Sequence, residues 1–218
     1  MFRKNDVHTC PSCNTAHRVR GSASYLVLCP VCGQVIASSK NYESVSQSVM
    51  PDDWSVVQLG STGVYKEKPF EVIGRVRLQF RQDYKNFWCI WYDTLDKYGW
   101  LAESFGEYIV FEDTFFDMDD SKEPFSRFKA GDQFTLHNNT TVITDYVDLC
   151  EWISLEGELC KWPHYRKGFL SVQAQNNNGI AAYFNILPNN QKGNFLVGQL
   201  VKFSELNLKL IREWDEWK

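Results

Sequence analysis

Two Cys-Pro-x-Cys pairs near the start of the chain constrain the fold more than any other sequence feature. Cys10 and Cys13 form the first pair, and fifteen residues separate it from Cys29 and Cys32. This spacing is typical of a four-cysteine zinc site. Zn²⁺ prefers soft ligands in a tetrahedron, and each Cys-x-x-Cys turn supplies two thiolates to one side of the ion. The sequence therefore predicts a zinc ribbon over residues 1–37, with these four cysteines as the metal ligands.

The predicted zinc ion is interpreted as structural. Four thiolates fill the coordination shell, whereas a catalytic zinc site keeps one position open for water or substrate. Gly33 follows the second pair at a position where a zinc knuckle commonly needs a positive φ, which glycine adopts without strain. Between the pairs, the segments AHRVRG and SYLVLC are expected to form the two arms of a small hairpin.

The composition indicates an ordinary globular protein. Of the 218 residues, 44% are hydrophobic and 23% are charged, which is usual for such domains. No apolar run approaches the roughly 18 residues of a membrane-spanning helix. The opening MFRKNDVHTC lacks the apolar stretch of a signal peptide. Seven cysteines, an odd number with four at metal-type spacing, favour a reducing compartment. We therefore predict a cytoplasmic protein without a transmembrane segment.

The distribution of charge gives little support to nucleic-acid binding. The net charge is -4, although residues 1–50 carry five Lys or Arg and only two Asp or Glu. Four thiolates around one Zn²⁺ would add negative charge to this region and leave it nearly neutral, whereas a nucleic-acid-binding face is clearly basic. Arg18 and Arg20 are most simply interpreted as a solvated face of the ribbon. Nucleic-acid binding through the ribbon and aromatic side chains stays open as an alternative.

The rest of the chain is predicted to be mostly β. Residues 38–53 are rich in Ser and polar residues and resemble a linker. Residues 54–117 contain four short segments with β-branched or aromatic residues between turn signals, which is typical of antiparallel strands. Residues 118–218 begin in a similar way. We therefore predict two small antiparallel β-barrel-like units in tandem, at 54–117 and 118–218, behind the ribbon.

Two pairs of segments raise the hypothesis of an internal duplication. Residues 59–76 align with residues 130–147, since both have an early glycine, a short strand, a polar turn and a β-branched strand. Residues 106–112, GEYIVFE, resemble residues 198–204, GQLVKFS. The last stretch, residues 205–218, shows both helical spacing and strand-like alternation, so its structure is left open.

The aromatic cluster is the most ambiguous candidate for a binding site. Trp88, Trp91, Tyr92 and Trp100 fall close together in the sequence. On a strand, Trp88 and Tyr92 would face one way and Trp91 the other, so they cannot all fill one core. Packing inside or between the β-units is the simpler interpretation. Because some of these rings should then line a groove, a domain interface or a partner surface, we predict these four residues as candidate partner-binding residues.

Glu156 and Glu158 are the second candidate. They flank Gly157, and residues two apart on a strand share a face, so both carboxylates could reach one ligand. An enzyme using them, or His164, in a pocket between the β-units is therefore a second alternative. No phosphate-binding loop, nucleophile elbow or second metal motif accompanies them.

The remaining cysteines do not form a motif. Cys89 and Cys150 lie in apolar, strand-like segments and are predicted to be buried structural thiols, and Cys160 has no neighbouring motif either.

Part of the sequence looks like a bacterial family known as domain of unknown function 4178. The resemblance rests on a Gly-Tyr-x-Gly-like turn, a Phe-x-Val-x-Gly-Arg strand, a Trp-x-x-Trp-Tyr strand, a Gly/Ala-Trp-Leu motif and a final Gly-x-Tyr. These match Gly63 and Tyr65, Phe70 to Arg75, Trp88 to Tyr92, Gly99 to Leu101, and Gly106 to Tyr108, and EGEL at 156–159 is similar to a stretch in longer members. An N-terminal zinc ribbon is a familiar companion of this domain.

The resemblance implies a setting rather than an activity. It points to a bacterial membrane-stress gene neighbourhood with phage-shock-type proteins, and it defines no functional residue. From this setting, the missing catalytic set and the many aromatics, we predict a non-enzymatic zinc-ribbon adaptor. It is expected to bind a protein partner through aromatic β surfaces, either in the cytoplasm or peripherally at the inner membrane.

Overall fold

The computed structural model shows a chain built mainly from antiparallel strands, which confirms the predicted mostly-β class. No α-helix occurs in the part of the chain that the structure describes, and short 3-10 turns span Asp93–Leu95 and Phe203–Leu206. The described residues are 2–22, 24–37, 50–112, 116–117, 128–136, 139–162, 168–186 and 193–213. Most of the predicted linker, His164 and residues 214–218 lie outside these ranges.

Sixteen strands are found in the described residues. The first four belong to the cysteine-containing segment and are β1 (Val7–Thr9), β2 (Ala16–Arg18), β3 (Ser24–Leu28) and β4 (Val35–Ala37). The next six are β5 (Thr62–Tyr65), β6 (Lys68–Gln79), β7 (Tyr84–Tyr92), β8 (Lys97–Ser104), β9 (Glu107–Phe111) and β10 (Phe116–Asp117). The last six are β11 (Gln133–Thr135), β12 (Thr141–Leu149), β13 (Trp152–Cys160), β14 (Leu170–Gln175), β15 (Ile180–Ile186) and β16 (Gly193–Val201).

The prediction of two barrel-like units in tandem is wrong. Strands β1 and β2 form a small sheet of their own, and the other strands join one large sheet that is not closed into a barrel. Its order is β11-β12-β14-β15-β16-β9-β8-β7-β6-β13-β3-β4, with β10 beside β16 and β5 beside β6. Strands from both predicted units pair directly, because β16 lies beside β9 and β13 lies between β6 and β3. The domain boundaries themselves stay a prediction.

The strand order repeats on either side of the β16–β9 pair. Strands β5 to β9 are each paired with the next, and β11, β12, β14, β15 and β16 follow the same scheme. The residues that precede the first strands of each set also make equivalent backbone hydrogen bonds. Gly60 donates its N–H to the carbonyl of Val72 at 2.8 Å, and Gly131 donates to Thr144 at 2.8 Å. The register shifts immediately after both acceptors. This equivalence supports the hypothesis of an internal duplication, with β13 as an additional strand.

The large sheet curls around one main core. Strand β12 runs into β13 through Cys150 and Glu151, whose N–H groups donate to Phe169 and Gln79 respectively, both at 2.9 Å. This segment thereby contacts two strands that lie far apart in the strand order. Inside the curl, the ring of Phe87 on β7 lies 4.6 Å from that of Tyr183 on β15.

A second core lies on the outer face of β6 to β9. It contains Trp88 and Tyr92 and is covered by Val57, by Leu206 and by Tyr65 of β5. Both faces of the central strands are therefore buried.

Candidate metal centre and aromatic groove

The four predicted ligands converge at one point. Their Sγ atoms all lie within 4.8 Å of one another. Cys10 Sγ is 3.6 Å from Cys32 Sγ, and Cys13 Sγ is 3.4 Å from Cys29 Sγ. In a tetrahedral zinc site with Zn–S bonds of about 2.3 Å, sulfur atoms are separated by about 3.8 Å. The cluster thus has the donor set and the dimensions of a four-thiolate metal site.

The two Cys-x-x-Cys turns have the same backbone geometry. Asn14 donates its N–H to the carbonyl of Cys10 at 2.9 Å, and Gly33 donates to Cys29 at 2.8 Å. Both donors have a positive φ, 60° for Asn14 and 69° for Gly33. This confirms the prediction for Gly33, and asparagine is among the other residues that adopt this conformation most readily.

The prediction that AHRVRG and SYLVLC are two arms of one hairpin is wrong. Strand β2 pairs with β1, and β3 pairs with β4. Each Cys-x-x-Cys turn is itself the turn of a hairpin, so the strands on its two sides pair with each other. The strand β3 then also pairs with β13, which makes the cysteine-containing segment continuous with the large sheet.

The surroundings of Cys13 favour the thiolate form. The Thr15 hydroxyl lies 3.2 Å from Cys13 Sγ. This hydrogen bond is the main cause that lowers the pKa of the Cys13 thiol to about 6. The pKa of the Cys32 thiol, in contrast, is raised to about 11, so the four sulfur atoms are not equally predisposed to the thiolate form that binds metal.

Glu158 joins the ribbon to the large sheet. Its buried carboxylate accepts hydrogen bonds from the backbone N–H groups of Arg20 and Gly21, each at 2.9 Å, and from the hydroxyl of Ser24. These donors belong to the segment between β2 and β3. Glu158 therefore has a structural role at this junction, and its ligand-binding role stays a prediction.

Glu156 also has a protein partner. One of its oxygens lies 3.1 Å from Nε of Arg75, and the carboxylate is partly exposed at a cleft between the ribbon and the sheet. The carboxylates of Glu156 and Glu158 are thus held by different groups. The arrangement does not support acid–base chemistry by this pair, and His164 lies outside the described residues.

A buried ion cluster beside Glu156 was not predicted from the sequence. Arg75 and Arg77 both donate to the buried carboxylate of Asp53, and Nη1 of Arg212 lies 3.4 Å from its other oxygen. Asp53 falls in the segment that was interpreted as a linker. The cluster connects this segment to β6 and to the chain after β16, and only the spatial arrangement shows that these charges meet.

The four aromatic candidates are buried, which corrects their prediction as a partner-binding surface. Trp91 and Trp100 belong to the main core, whereas Trp88 and Tyr92 belong to the outer core. The predicted alternation of Trp88 and Trp91 between two faces is therefore correct. The outer face is covered by residues distant in sequence, and no surplus ring is left exposed among these four.

The three other cysteines are buried as well. The prediction for Cys89 and Cys150 is confirmed, and burial raises the pKa of the Cys150 thiol to about 12. Cys89 Sγ contacts Cys160 Sγ at 2.8 Å, a proximity that no sequence motif indicated.

A groove of about 990 Å³ lies on the outer surface, away from the cysteine cluster. It is bounded by residues 54–56, the β6–β7 turn, the β8–β9 turn, Phe203 and residues 211–213, and we call it the aromatic groove. Three large apolar side chains on it are exposed: Phe105 at 81%, Trp54 at 66% and Phe203 at 40%. Sequence reasoning missed this surface, because its residues come from five separate segments.

The ribbon arginines do not form a basic face. The guanidinium of Arg20 is paired with Glu71. Arg18 is exposed and lines the same cleft as Glu156. Arg20 is thus neutralised by a carboxylate, and the cleft that Arg18 lines also contains Glu156, so this mixed charge does not support a phosphate-binding surface.

Comparison of the chain with protein-family models, with curated proteins and with solved structures gives no match. The resemblance to the domain-of-unknown-function family therefore stays a prediction. Within the described residues, no helix has the length and apolar character needed to span a bilayer.

Proposed function

We propose that this protein is a non-enzymatic, zinc-binding adaptor that binds a protein partner. The observation that carries the proposal is the convergence of four cysteine Sγ atoms within 4.8 Å. A zinc ion held by four thiolates has no open position for a substrate, so the metal would act on structure.

The metal would compensate for a very small local core. Beside the cysteine cluster, the ribbon's own core consists of Phe2, Val19 and Val27, whereas Leu26 and Leu28 of β3 are buried in the main core. Segments of this size rarely fold on apolar burial alone, and metal binding commonly supplies the missing free energy. Because β3 of the ribbon pairs with β13, zinc would also order one end of the large sheet.

Binding is favoured over catalysis by the state of the candidate acid–base groups. Glu158 is fully engaged by backbone and hydroxyl donors, and Glu156 is paired with Arg75. Three of the exposed large apolar side chains, Trp54, Phe105 and Phe203, in contrast lie together on the aromatic groove. Grouped exposure of this kind is characteristic of interaction surfaces. The family resemblance suggests that the partner belongs to a bacterial membrane-stress system, at the inner membrane face.

The adaptor function is tested by covalent cross-linking in the source cells followed by capture of the tagged, full-length protein. We expect one protein to be enriched with the wild-type chain and not with a tag-only control. Parallel metal analysis is expected to find zinc in the captured sample. Recovery of no enriched protein, or a metal-dependent hydrolytic or redox activity of the purified chain, would contradict the proposal.

A further inference from the structure

We infer that the aromatic groove binds a segment of a partner protein in which a lysine or arginine lies next to an apolar side chain. This inference rests on the proposed adaptor function and adds the contact surface and the chemistry of the partner. It is carried by Phe105, by the rings around it and by the charges at the edge of the groove.

Phe105 has a backbone conformation that is unfavourable for phenylalanine, and its apolar side chain is exposed to solvent. Strands β8 and β9 are joined by the two-residue turn Phe105–Gly106, with φ values of 50° and 81°. Two-residue turns with positive φ at both positions favour Asn-Gly, and a bulky residue at the first position is strained. The Phe105 ring is also 81% exposed. Since it contributes to neither the turn nor the core, its exposed ring is available for a contact outside the chain.

The surroundings of Phe105 extend this apolar surface. Trp54 and Phe203 are both exposed on the same groove, and the Phe203 ring lies 5.4 Å from that of Tyr108. Aromatic side chains of this kind dominate the binding energy of protein interfaces when a partner covers them. An apolar side chain of the partner would therefore pack between these rings.

The charges of the groove favour a cation beside that apolar side chain. Asp83, Glu103 and Glu213 line it, whereas the only lining cation among the described residues is Arg212. Arg212 is directed toward the segment below the groove, where its Nη1 donates to the carbonyl of Asp53 at 3.2 Å. The electrostatic balance of the lining is thus negative.

Glu103 is held in place as the acidic floor of the groove. Its carboxylate accepts hydrogen bonds from Ser55, Asn86, Trp88 and Tyr108, so it acts on the partner through its negative charge and not as a free hydrogen-bond acceptor. Aromatic faces also attract cations. Carboxylates and rings together suit an ammonium or guanidinium group, and they repel phosphates of nucleic acids and of anionic lipids.

The test is a selection with a phage-displayed library of random short peptides on the full-length, zinc-loaded protein. We expect the recovered peptides to be enriched in Lys or Arg adjacent to an apolar residue. Synthetic copies of these peptides should lose binding by at least about tenfold on Phe105→Asn, because aromatic hot spots carry most of such an interface. Glu213→Gln should weaken binding less than Phe105→Asn does. Its effect should be larger at low salt than at high salt, because salt screens the charge.

Phe105→Asn also separates a binding role from a structural one. Asparagine suits the turn and removes an exposed ring, so the melting temperature should stay equal or rise while binding is lost. Leu95→Ser removes an exposed apolar side chain outside the groove and is the matched control. It should leave the melting temperature and peptide binding unchanged.

Several results would overturn the inference. These are the absence of any enriched peptide, the enrichment of acidic peptides, and binding that survives Phe105→Asn. Tighter binding to phosphatidylglycerol vesicles than to any peptide, or a wild-type dimer that Phe105→Asn dissociates, would replace the proposed occupant with a membrane or a second copy. If cross-linking recovers the same partner with Phe105→Asn as with wild type, the groove assignment fails and the adaptor function stands.

Discussion

Glu158 on β13 accepts a hydrogen bond from the N–H of Gly21 at 2.9 Å and thereby joins the ribbon to the large sheet. The acceptor and donor are separated by 137 positions in the chain. Since Glu158 is also buried, this carboxylate with its several donors adds to the β3–β13 pairing at the junction.

The first prediction concerns this junction. Glu158→Gln should lower the free energy of unfolding by about 1–3 kcal/mol, because an amide N–H₂ would then oppose backbone donors in a buried position. Glu156→Gln is the matched control, and its smaller effect follows from its partial exposure. Urea unfolding measures both changes. Equal effects of the two variants would show that the buried hydrogen bonds of Glu158 do not stabilise the junction.

Zinc removal should disorder the ribbon and leave the central strands folded. The N–H groups of Cys10 and Cys29 donate to the carbonyls of Thr15 and Gln34 within the two turns. Without metal, the small ribbon core cannot hold these turns, and hydrogen exchange at both amides should become fast. Amides of β7 should stay protected, and added zinc should restore protection at the turns. Equal exchange in the zinc-loaded and zinc-free protein would mean that metal does not organise the ribbon.

The buried aromatics should behave as core residues. Trp88→Ala is expected to lower the free energy of unfolding by about 3–5 kcal/mol, since it leaves a large cavity in the outer core. Trp152, which is exposed, provides the control, and Trp152→Ala should change stability by less than about 1 kcal/mol. Denaturant unfolding monitors both variants. A small effect of Trp88→Ala would favour the earlier interpretation of this residue as part of a surface.

Much of the local structure, and little of the assembly, could be predicted from the sequence. The cysteine spacing predicted the cluster of four Sγ atoms because each Cys-x-x-Cys turn brings two thiols to one side of a common point. The alternation of Trp88 and Trp91 indicated two faces because strands alternate with period two. It did not reveal that Val57 and Leu206 cover the second face, since pairing partners distant in the chain leave no local pattern. For the same reason, Phe105 in its turn was not recognised as part of a surface.

Lys85 gives a pH-dependent prediction. Burial lowers the pKa of this lysine from 10.5 to about 8. Between about pH 8 and 10.5 the unfolded chain therefore binds more protons than the folded one, and stability rises with pH in this window. The free energy of unfolding of the wild type should rise by up to about 3 kcal/mol from pH 7 to 10.5, relative to that of Lys85→Met, which lacks the titrating group.

Urea unfolding at a series of pH values checks this gain. Lys97→Met, which removes an exposed lysine, is the control. A difference between wild type and Lys85→Met that stays constant from pH 7 to 10.5 would show that Lys85 does not titrate in this window.

The metal content and sulfur coordination of the purified protein test the central claim most directly. Elemental analysis combined with X-ray absorption spectroscopy should find one zinc ion per chain, bound by four sulfur atoms at about 2.3 Å. These atoms are expected from Cys10, Cys13, Cys29 and Cys32, so Cys13→Ser should reduce the sulfur count by one or abolish binding. A protein that binds no zinc, or that holds it with fewer sulfur ligands and an exchangeable water, would contradict a closed structural site.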